Sequence, residues 1–274
     1  MKQMKQLKSK SGDLRDLFEH SIKVSHIAEK LQYCQADDYA TTVHERMEEC
    51  DFDVMGIAEG DLVYGYVERC SLATGLCGQY ENKFHISDLI TESAPLLDLL
   101  PILHDKPRIF VSERNQVKRI VTRGDLQKAP VRMLLFGLVS LLEMQLLRVM
   151  RSYYRENKSW QSKKLIEQKR LNKAKKELAK RQKRNEAIDL ADCLQFCDKW
   201  EIVLKTSAIR KALNLGSKTK VEKLLRDAEE LRNNLAHSQD LVVGSSWSEV
   251  INLVHDIQSL LKKIEDMSVP KFEG

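Results

Sequence analysis

Residues 54–72 lie over residues 108–126 without a gap when the chain is shifted by 54 positions, and this repetition restricts the fold more than any other feature. Identities fall at Glu59 and Glu113, Val63 and Val117, Val67 and Val121, Arg69 and Arg123, and Leu72 and Leu126. Apolar positions also match at Met55 and Ile109 and at Ile57 and Val111. Each copy reads as a strand, a tight turn (Glu59-Gly60-Asp61; Glu113-Arg114-Asn115), a second strand and the start of a helix. Helical segments at residues 41–50 and 94–105 precede the two hairpins. Repetition of one supersecondary unit implies that the copies bury their apolar faces together, so residues 21–128 form one α/β module.

Beyond the repeat the pattern changes. Ala129-Pro130 places a proline at the first turn of a helix, and Val131, Leu134, Leu135, Leu138, Leu141, Leu142, Gln145 and Val149 trace one stripe. Met133, Phe136 and Val139 make this helix apolar nearly all round, predicting contact on several sides. Arg132, Glu143 and Arg148 interrupt residues 131–150, which argues against a membrane span and for a central bundle helix. Residues 187–206 are predicted to form a further apolar helix. Thr219 with Glu222 reads as a capping box, opening a helix marked by Val221, Leu224, Leu225, Ala228, Leu231 and Leu235. Gly244-Ser245-Ser246 is predicted to turn into a last helix striped by Val250, Val254, Ile257, Leu261 and Ile264. The predicted class is α+β, with residues 1–20 a tail and short helix, 21–128 the repeated module, 129–268 a helical bundle and 269–274 a tail.

The 274 residues carry a net charge of +5, but residues 158–184 hold twelve Lys or Arg against Glu167 and Glu177. The rest of the chain is therefore acidic overall. An excess of one sign this large exceeds what i,i+4 pairing on a helix absorbs, and a polyanion partner fits it. Trp160 and the Tyr153-Tyr154 pair lie just before or within this stretch, where they either stack on bases or pack in the core. Six cysteines show no C-x-x-C pair. Cys193 and Cys197, four apart on a predicted helix, read as core thiols, and no metal site is expected. Without a secretory signal pattern, a reduced cytoplasmic setting is expected.

Arg232, Asn233 and His237 close the helix that starts near Thr219. An unpaired guanidinium beside the apolar face would be costly, so Arg232 needs a partner, with Glu229 one local choice. Five residues of continuous helix set Arg232 and His237 about 140° and about 7.5 Å apart. Either the helix ends near His237 or the working site joins two copies of the motif. Glu143, a carboxylate inside an apolar run, also needs a partner. Arg132 and Arg148 are the near ones; Arg232 or His237 would be reached across the bundle.

Two resemblances follow. Val121-Thr122-Arg123-Gly124-Asp125-Leu126 resembles the strand-to-helix end of a CBS domain, and the two copies resemble the tandem CBS pair. That resemblance implies an adenine nucleotide (AMP, ADP or ATP) as regulatory ligand, with Thr122 and Asp125 holding a ribose; a carboxylate at a helix start is suited to a cis-diol. The first copy has Glu68 and Ser71 at those positions, so the resemblance places the ligand in the second. Arg232, Asn233 and His237, late in an all-helical region, resemble the motif of the HEPN ribonucleases and nucleotide-binding proteins. This implies a homodimer cutting RNA without a metal: the 2′-hydroxyl attacks the adjacent phosphate, Arg232 stabilises the phosphorane, His237 moves protons, Asn233 orients, and Glu143 is an additional polar group. The alternative is a non-catalytic adenine-nucleotide sensor whose helical half binds a partner or dimerises.

Overall fold

The computed structural model describes residues 16, 20–154, 156–237, 241–242 and 246–267. The tail expected at 269–274, most of the segment expected at 1–20, and Gly244 and Ser245 of the expected turn lie outside the described residues. The chain divides into two compact units, one spanning Glu19–Arg132 and the other running from Met133 onward. The first is α/β and the second helical, which makes the class α+β.

The first unit contains two four-stranded sheets. Strands β2 (Tyr33–Gln35), β3 (Val54–Glu59), β4 (Leu62–Glu68) and β5 (Asn82–Lys83) form one. In the other, β1 (Glu29–Lys30) lies beside β8 (Gln116–Thr122), then β7 (Arg108–Glu113) and β6 (Leu89–Thr91). Helix α1 (Ala40–Glu49) joins β2 to β3 and helix α2 (Leu96–Asp105) joins β6 to β7. The crossovers bring β2 and β6 in parallel to β3 and β7, while both hairpins are antiparallel.

The 54-residue offset holds for every pair in the hairpins. Val54 faces Glu68 as Arg108 faces Thr122, and the register shifts between Ile57 and Ala58 as it does between Val111 and Ser112. A shared bulge fixes the same bend in both strands. Ahead of the hairpins the offset becomes 56: Tyr33 pairs with Gly56, and Leu89 with Phe110. The short strands β1 and β5 are also equivalent. Glu29 and Lys30 pair with Ile120 and Arg119, while Asn82 and Lys83 pair with Tyr66 and Gly65. The second sheet is thus closed by a strand that precedes the first. Arg69 and Arg123 tie each hairpin to the segment before it, through Asp53 of the loop in one copy and the Leu103 and His104 carbonyls at the end of α2 in the other.

Leu31, Ala58, Val63, Phe110 and Val117 form a core drawn from both sheets, with Tyr33, Val54, Tyr66, Phe84, Leu89 and Ile120 packed against it. Burying a side chain such as Leu31 or Phe110 contributes about 1.5–3 kcal/mol. A second cluster, containing Val43, Met47, Met55, Ile57 and Val67, holds α1 to the first sheet.

The helical unit is built from α3 (Ala129–Tyr153, entering from the first unit), α4 (Asn157–Gln161), α5 (Gln168–Gln182), α6 (Phe196–Lys205), α7 (Ser207–Ala212), α8 (Lys218–Ala236) and α9 (Trp247–Asp266). Helix α3 is long and apolar enough to cross a membrane by length and composition. Its predicted stripe, from Val131 to Val149, is buried in the protein. Contact extends beyond the stripe, since Val139, Leu146 and Met150 are buried as well, while Met133 and Phe136 are 66% and 44% exposed.

Two further expectations are corrected. Residues 187–206 are not one helix: α6 starts only at Phe196, behind a capping box of Gln195 and Asp198. Asp189 accepts the Ala191 and Asp192 amides, and Asp192 accepts the Asp189 amide, so side chains satisfy the backbone in a turn instead. This also separates Cys193 from the helix that holds Cys197. Helix α8 has Ser217 at its N-cap, without the predicted Thr219 and Glu222 box; Glu222 accepts from Arg226. The last helix does carry a box, Ser246 with Glu249.

Candidate functional site

In the first unit the candidate residues meet where β8 ends. Strand β8 stops at Thr122, and a 3-10 turn (Arg123–Gln127) follows, capped by Thr122 and Asp125. Asp125 Oδ2 accepts the Thr122 amide at 2.6 Å and the Thr122 hydroxyl at 3.0 Å. Its Oδ1 pairs with Lys128 Nζ at 2.6 Å. Lys128 also donates to the Ile27 carbonyl and Glu29. Burial lowers the Lys128 pKa, but the bonds to Asp125 and Glu29 outweigh it and hold the ammonium above the ordinary lysine value.

An ionised carboxylate offers roughly four acceptor positions. Here three are used, and Asp125 is 7% exposed. A ribose diol therefore meets one remaining position on Oδ1, and its second hydroxyl must displace the Thr122 hydroxyl or Lys128.

The equivalent position in the first copy is closed differently. Glu68 is bound by Arg108, whose guanidinium also lies 5.5 Å from the centre of the Tyr66 ring. Ser71 ends a three-residue 3-10 turn (Arg69–Ser71) with no capping bond from Glu68. The position that carries Thr122 and Asp125 in one copy thus carries an ion pair between the copies in the other.

In the helical unit, Glu143 of α3 lies between two cations. Its Oε1 accepts from Lys199 of α6 at 2.6 Å, and its Oε2 pairs with Arg232 of α8 at 3.3 Å. Arg148 instead donates to Gln145, and Glu229 accepts from the Trp200 indole rather than from Arg232. The Arg232 guanidinium sits 5.8 Å from the centre of the Phe196 ring and donates to Asn233 Oδ1 at 3.4 Å. Two cations share one carboxylate, leaving one positive charge in excess.

Helix α8 ends at Ala236, and His237 is its C-cap, its amide bonded to the Asn233 carbonyl at 3.0 Å. Asn233 and His237 are both exposed. Four residues apart, they lie about 40° and about 6 Å from one another along the helix. Asn233 therefore bridges the angular gap between Arg232 and His237.

Two cavities in this unit, of about 550 and about 480 Å³, are lined by other residues. Neither of the two is lined by Arg232, Asn233 or His237. Among the described residues no group of three His, Cys, Asp or Glu is placed to hold a metal. Burial pushes the Cys34 thiol up to about 12 and raises Cys77, Cys193 and Cys197, so none of the four presents a thiolate near neutral pH.

Sequence reasoning missed Lys199, Phe196 and Lys128. Lys199 had a signal, a lysine one position before Trp200 in an apolar run, because a buried ammonium requires a carboxylate. Trp160 and Tyr154 are core residues: Trp160 is 1% exposed with its indole on Asn157, and the Tyr154 hydroxyl bonds Thr206.

No protein-family model and no curated protein matches the chain. Among solved structures it is similar to CBSX2 in complex with AMP, at 14% identity over 40% of this chain and 97% of that one, with a TM-score of 0.35. It is similar to the CBS domains of a transcriptional regulator from Streptococcus pneumoniae, at 14% identity over 38% and 95%, TM-score 0.34. A hemolysin-like protein containing a CBS domain, from Oenococcus oeni PSU, aligns at 10% identity over 43% and 96%, TM-score 0.33.

Proposed function

We propose that this chain is an adenine-nucleotide-responsive regulatory protein of the cytoplasm, with a CBS-like pair as its sensing unit and a HEPN-like helical unit as its output. The observation that carries the first half is the asymmetry of the repeat. One hairpin end is sealed by Glu68 and Arg108; the other presents Thr122 and a carboxylate with an acceptor position to spare. A nucleotide ribose binds at Asp125 by replacing the Thr122 hydroxyl or Lys128, which couples occupancy to the ties that Lys128 makes to Ile27 and Glu29.

The output is metal-independent RNA cleavage by a homodimer. What favours this reading is the clamp on Arg232, held by Glu143 and Phe196 and linked through Asn233 towards His237. A fixed guanidinium suits a phosphate in transition, and an exposed imidazole suits proton transfer near neutral pH. The RNA 2′-hydroxyl attacks the adjacent phosphorus, and the 5′-oxygen leaves with a proton. A cyclic phosphate and a 5′-hydroxyl result. Asn233 and His237 are exposed, and the second copy supplies the wall opposite them.

One experiment covers both halves. Labelled RNA is incubated in EDTA with the protein, with and without AMP, ADP or ATP, while calorimetry follows nucleotide binding. Asp125→Asn weakens nucleotide affinity on the order of tenfold to a hundredfold, the worth of a charged hydrogen bond, and Ser71→Ala leaves it unchanged. His237→Ala and Arg232→Ala each lower cleavage on the order of a hundredfold or more. Binding without cleavage by the wild type under any nucleotide leaves a non-catalytic sensor; unchanged affinity in Asp125→Asn refutes the ribose assignment.

A further inference from the structure

Helix α5 and the turn after it gather six cations on one side, with Lys175 and Glu177 outside that arc. Taking 100° per residue, Lys169, Lys173, Lys176, Lys180, Lys183 and Arg184 fall within an arc of about 100°. The apolar residues Leu171, Ala174 and Leu178 lie on the opposite side, where Leu171 and Ala174 are buried. Arg170 and Arg181 stand between the two faces and are already used, by Asp198 and Glu201 and by Glu186 respectively. The six cations of the arc are exposed, and none has an ion pair among the described residues. From Lys169 to Lys183 the row is about 21 Å long, with a charge every 5–6 Å or so.

A cavity of about 480 Å³ runs beside this row, lined by Lys173, Lys176 and Lys180 and, opposite them, by Asp192 and Asp198. Those carboxylates do not neutralise the row. Asp192 is paired with Arg151, and Asp198 with Arg170. Glu177 is the one acid left against three lysines in the lining.

We propose that this face of α5 docks an RNA strand by its phosphates, without reading bases. The row exposes no aromatic or aliphatic anchor, which a protein partner would bury at the centre of an interface. It also lacks the apolar face that an interfacial helix inserts into lipid. What remains is evenly spaced positive charge on a helix fixed to the bundle by Leu171, Ala174 and the pairing of Arg170 with Asp198 and Glu201. The proposal deepens the RNA reading above but stands apart from cleavage, since Arg232, Asn233 and His237 line none of this groove.

The test uses the full chain with His237→Ala, so that RNA stays intact, and measures anisotropy of a labelled single-stranded RNA in EDTA across a salt series. K173Q/K176Q/K180Q/K183Q is compared with K211Q/K218Q/K262Q/K263Q, which removes the same charge from exposed lysines elsewhere in the unit. The stripe variant flattens the log–log salt slope by about 3, from ~0.7 per cation on a single strand, and raises the low-salt Kd on the order of tenfold or more. The control changes Kd less than about twofold, and both variants keep the parent's melting curve. Equal losses in both variants overturn the proposal, as does an unchanged slope. Binding to phosphatidylserine vesicles with no RNA binding overturns it in favour of a membrane surface. Binding that follows the stripe while the His237 protein never cut RNA supports docking and removes only the cleavage reading.

Discussion

The two copies of the repeat share a backbone to the level of a bulge and differ in what their side chains do with it. Residue 56 and residue 110 occupy the same place beside the parallel strand, yet one is Gly56 and the other Phe110. Phe110 packs with Phe84 and Tyr66, at ring separations of 4.8 and 4.9 Å. Symmetry in side chains as well as backbone would put two aromatic rings near one axis and leave no room for either. A Cβ on Gly56 would already lie 2.9 Å from Val63 and 3.2 Å from Tyr33. Duplication therefore supplied the frame, and divergence filled its centre from one side.

The largest effect follows from that inequality. Phe110→Ala removes a fully buried ring and is expected to cost about 3–5 kcal/mol in a urea melt. Gly56→Ala, which overpacks the same region from the other copy, is expected to cost about 1–3 kcal/mol. Equal tolerance at both positions would mean that the core between the sheets rearranges freely, and the asymmetry would carry no structural weight.

The hairpin ends differ by less. Asp125→Ala removes the cap on Thr122 and leaves Lys128 with one carboxylate, Glu29, for an expected loss of about 1.5–3 kcal/mol without any nucleotide. Ser71→Ala, at the matching position, is expected to stay within about 0.5 kcal/mol. Thermal melts of the two variants give the comparison directly. A loss at Ser71 as large as at Asp125 would show that both ends are structural and that the Thr122–Asp125 cap does not set the second apart.

How much of this could be read from the sequence depended on the range of the interaction. The hairpins could be read because the repeat sets Val63 and Val67 at the same places as Val117 and Val121, although the bulge turns Val63 into the core between the sheets and Val67 towards α1. The exchange of β1 and β5 could not, because each strand has two residues and no period. The change of offset from 54 to 56 is absorbed in loops, where residues 50–53 of one copy correspond to only 106–107 of the other. At the candidate site the sequence identified Glu143 as a charge in need of a partner but left Arg132, Arg148, Arg232 and His237 open. The choice depends on which helices lie side by side, and packing put α3, α6 and α8 together around one carboxylate. The misplaced start of α6 has a local cause, since Asp189 and Asp192 offered the backbone hydrogen bonds that compete with a helix.

The smallest difference lies in the two turns and gives the finest test. In the first hairpin the positive φ falls on Gly60 alone (φ 60°); in the second, Arg114 and Asn115 both have positive φ (49° and 64°). Two positive values are the pattern of a type I′ turn, for which Asn and Gly are suited and arginine is not. The left-handed conformation costs a residue with a Cβ roughly 1–2 kcal/mol, whereas glycine gives back about 0.5–1 kcal/mol through the freedom of the unfolded chain. Arg114→Gly is therefore expected to stabilise the protein by about 0.5–1 kcal/mol, a rise of roughly 2 °C in Tm. Gly60→Ala should do the reverse by a similar amount, and through the backbone alone, because its Cβ would meet no atom within 4 Å. If Arg114→Gly lowered Tm instead, the exposed arginine would be making a contact that offsets its strain, and the second turn would owe its shape to a side chain rather than to the pairing of β7 with β8.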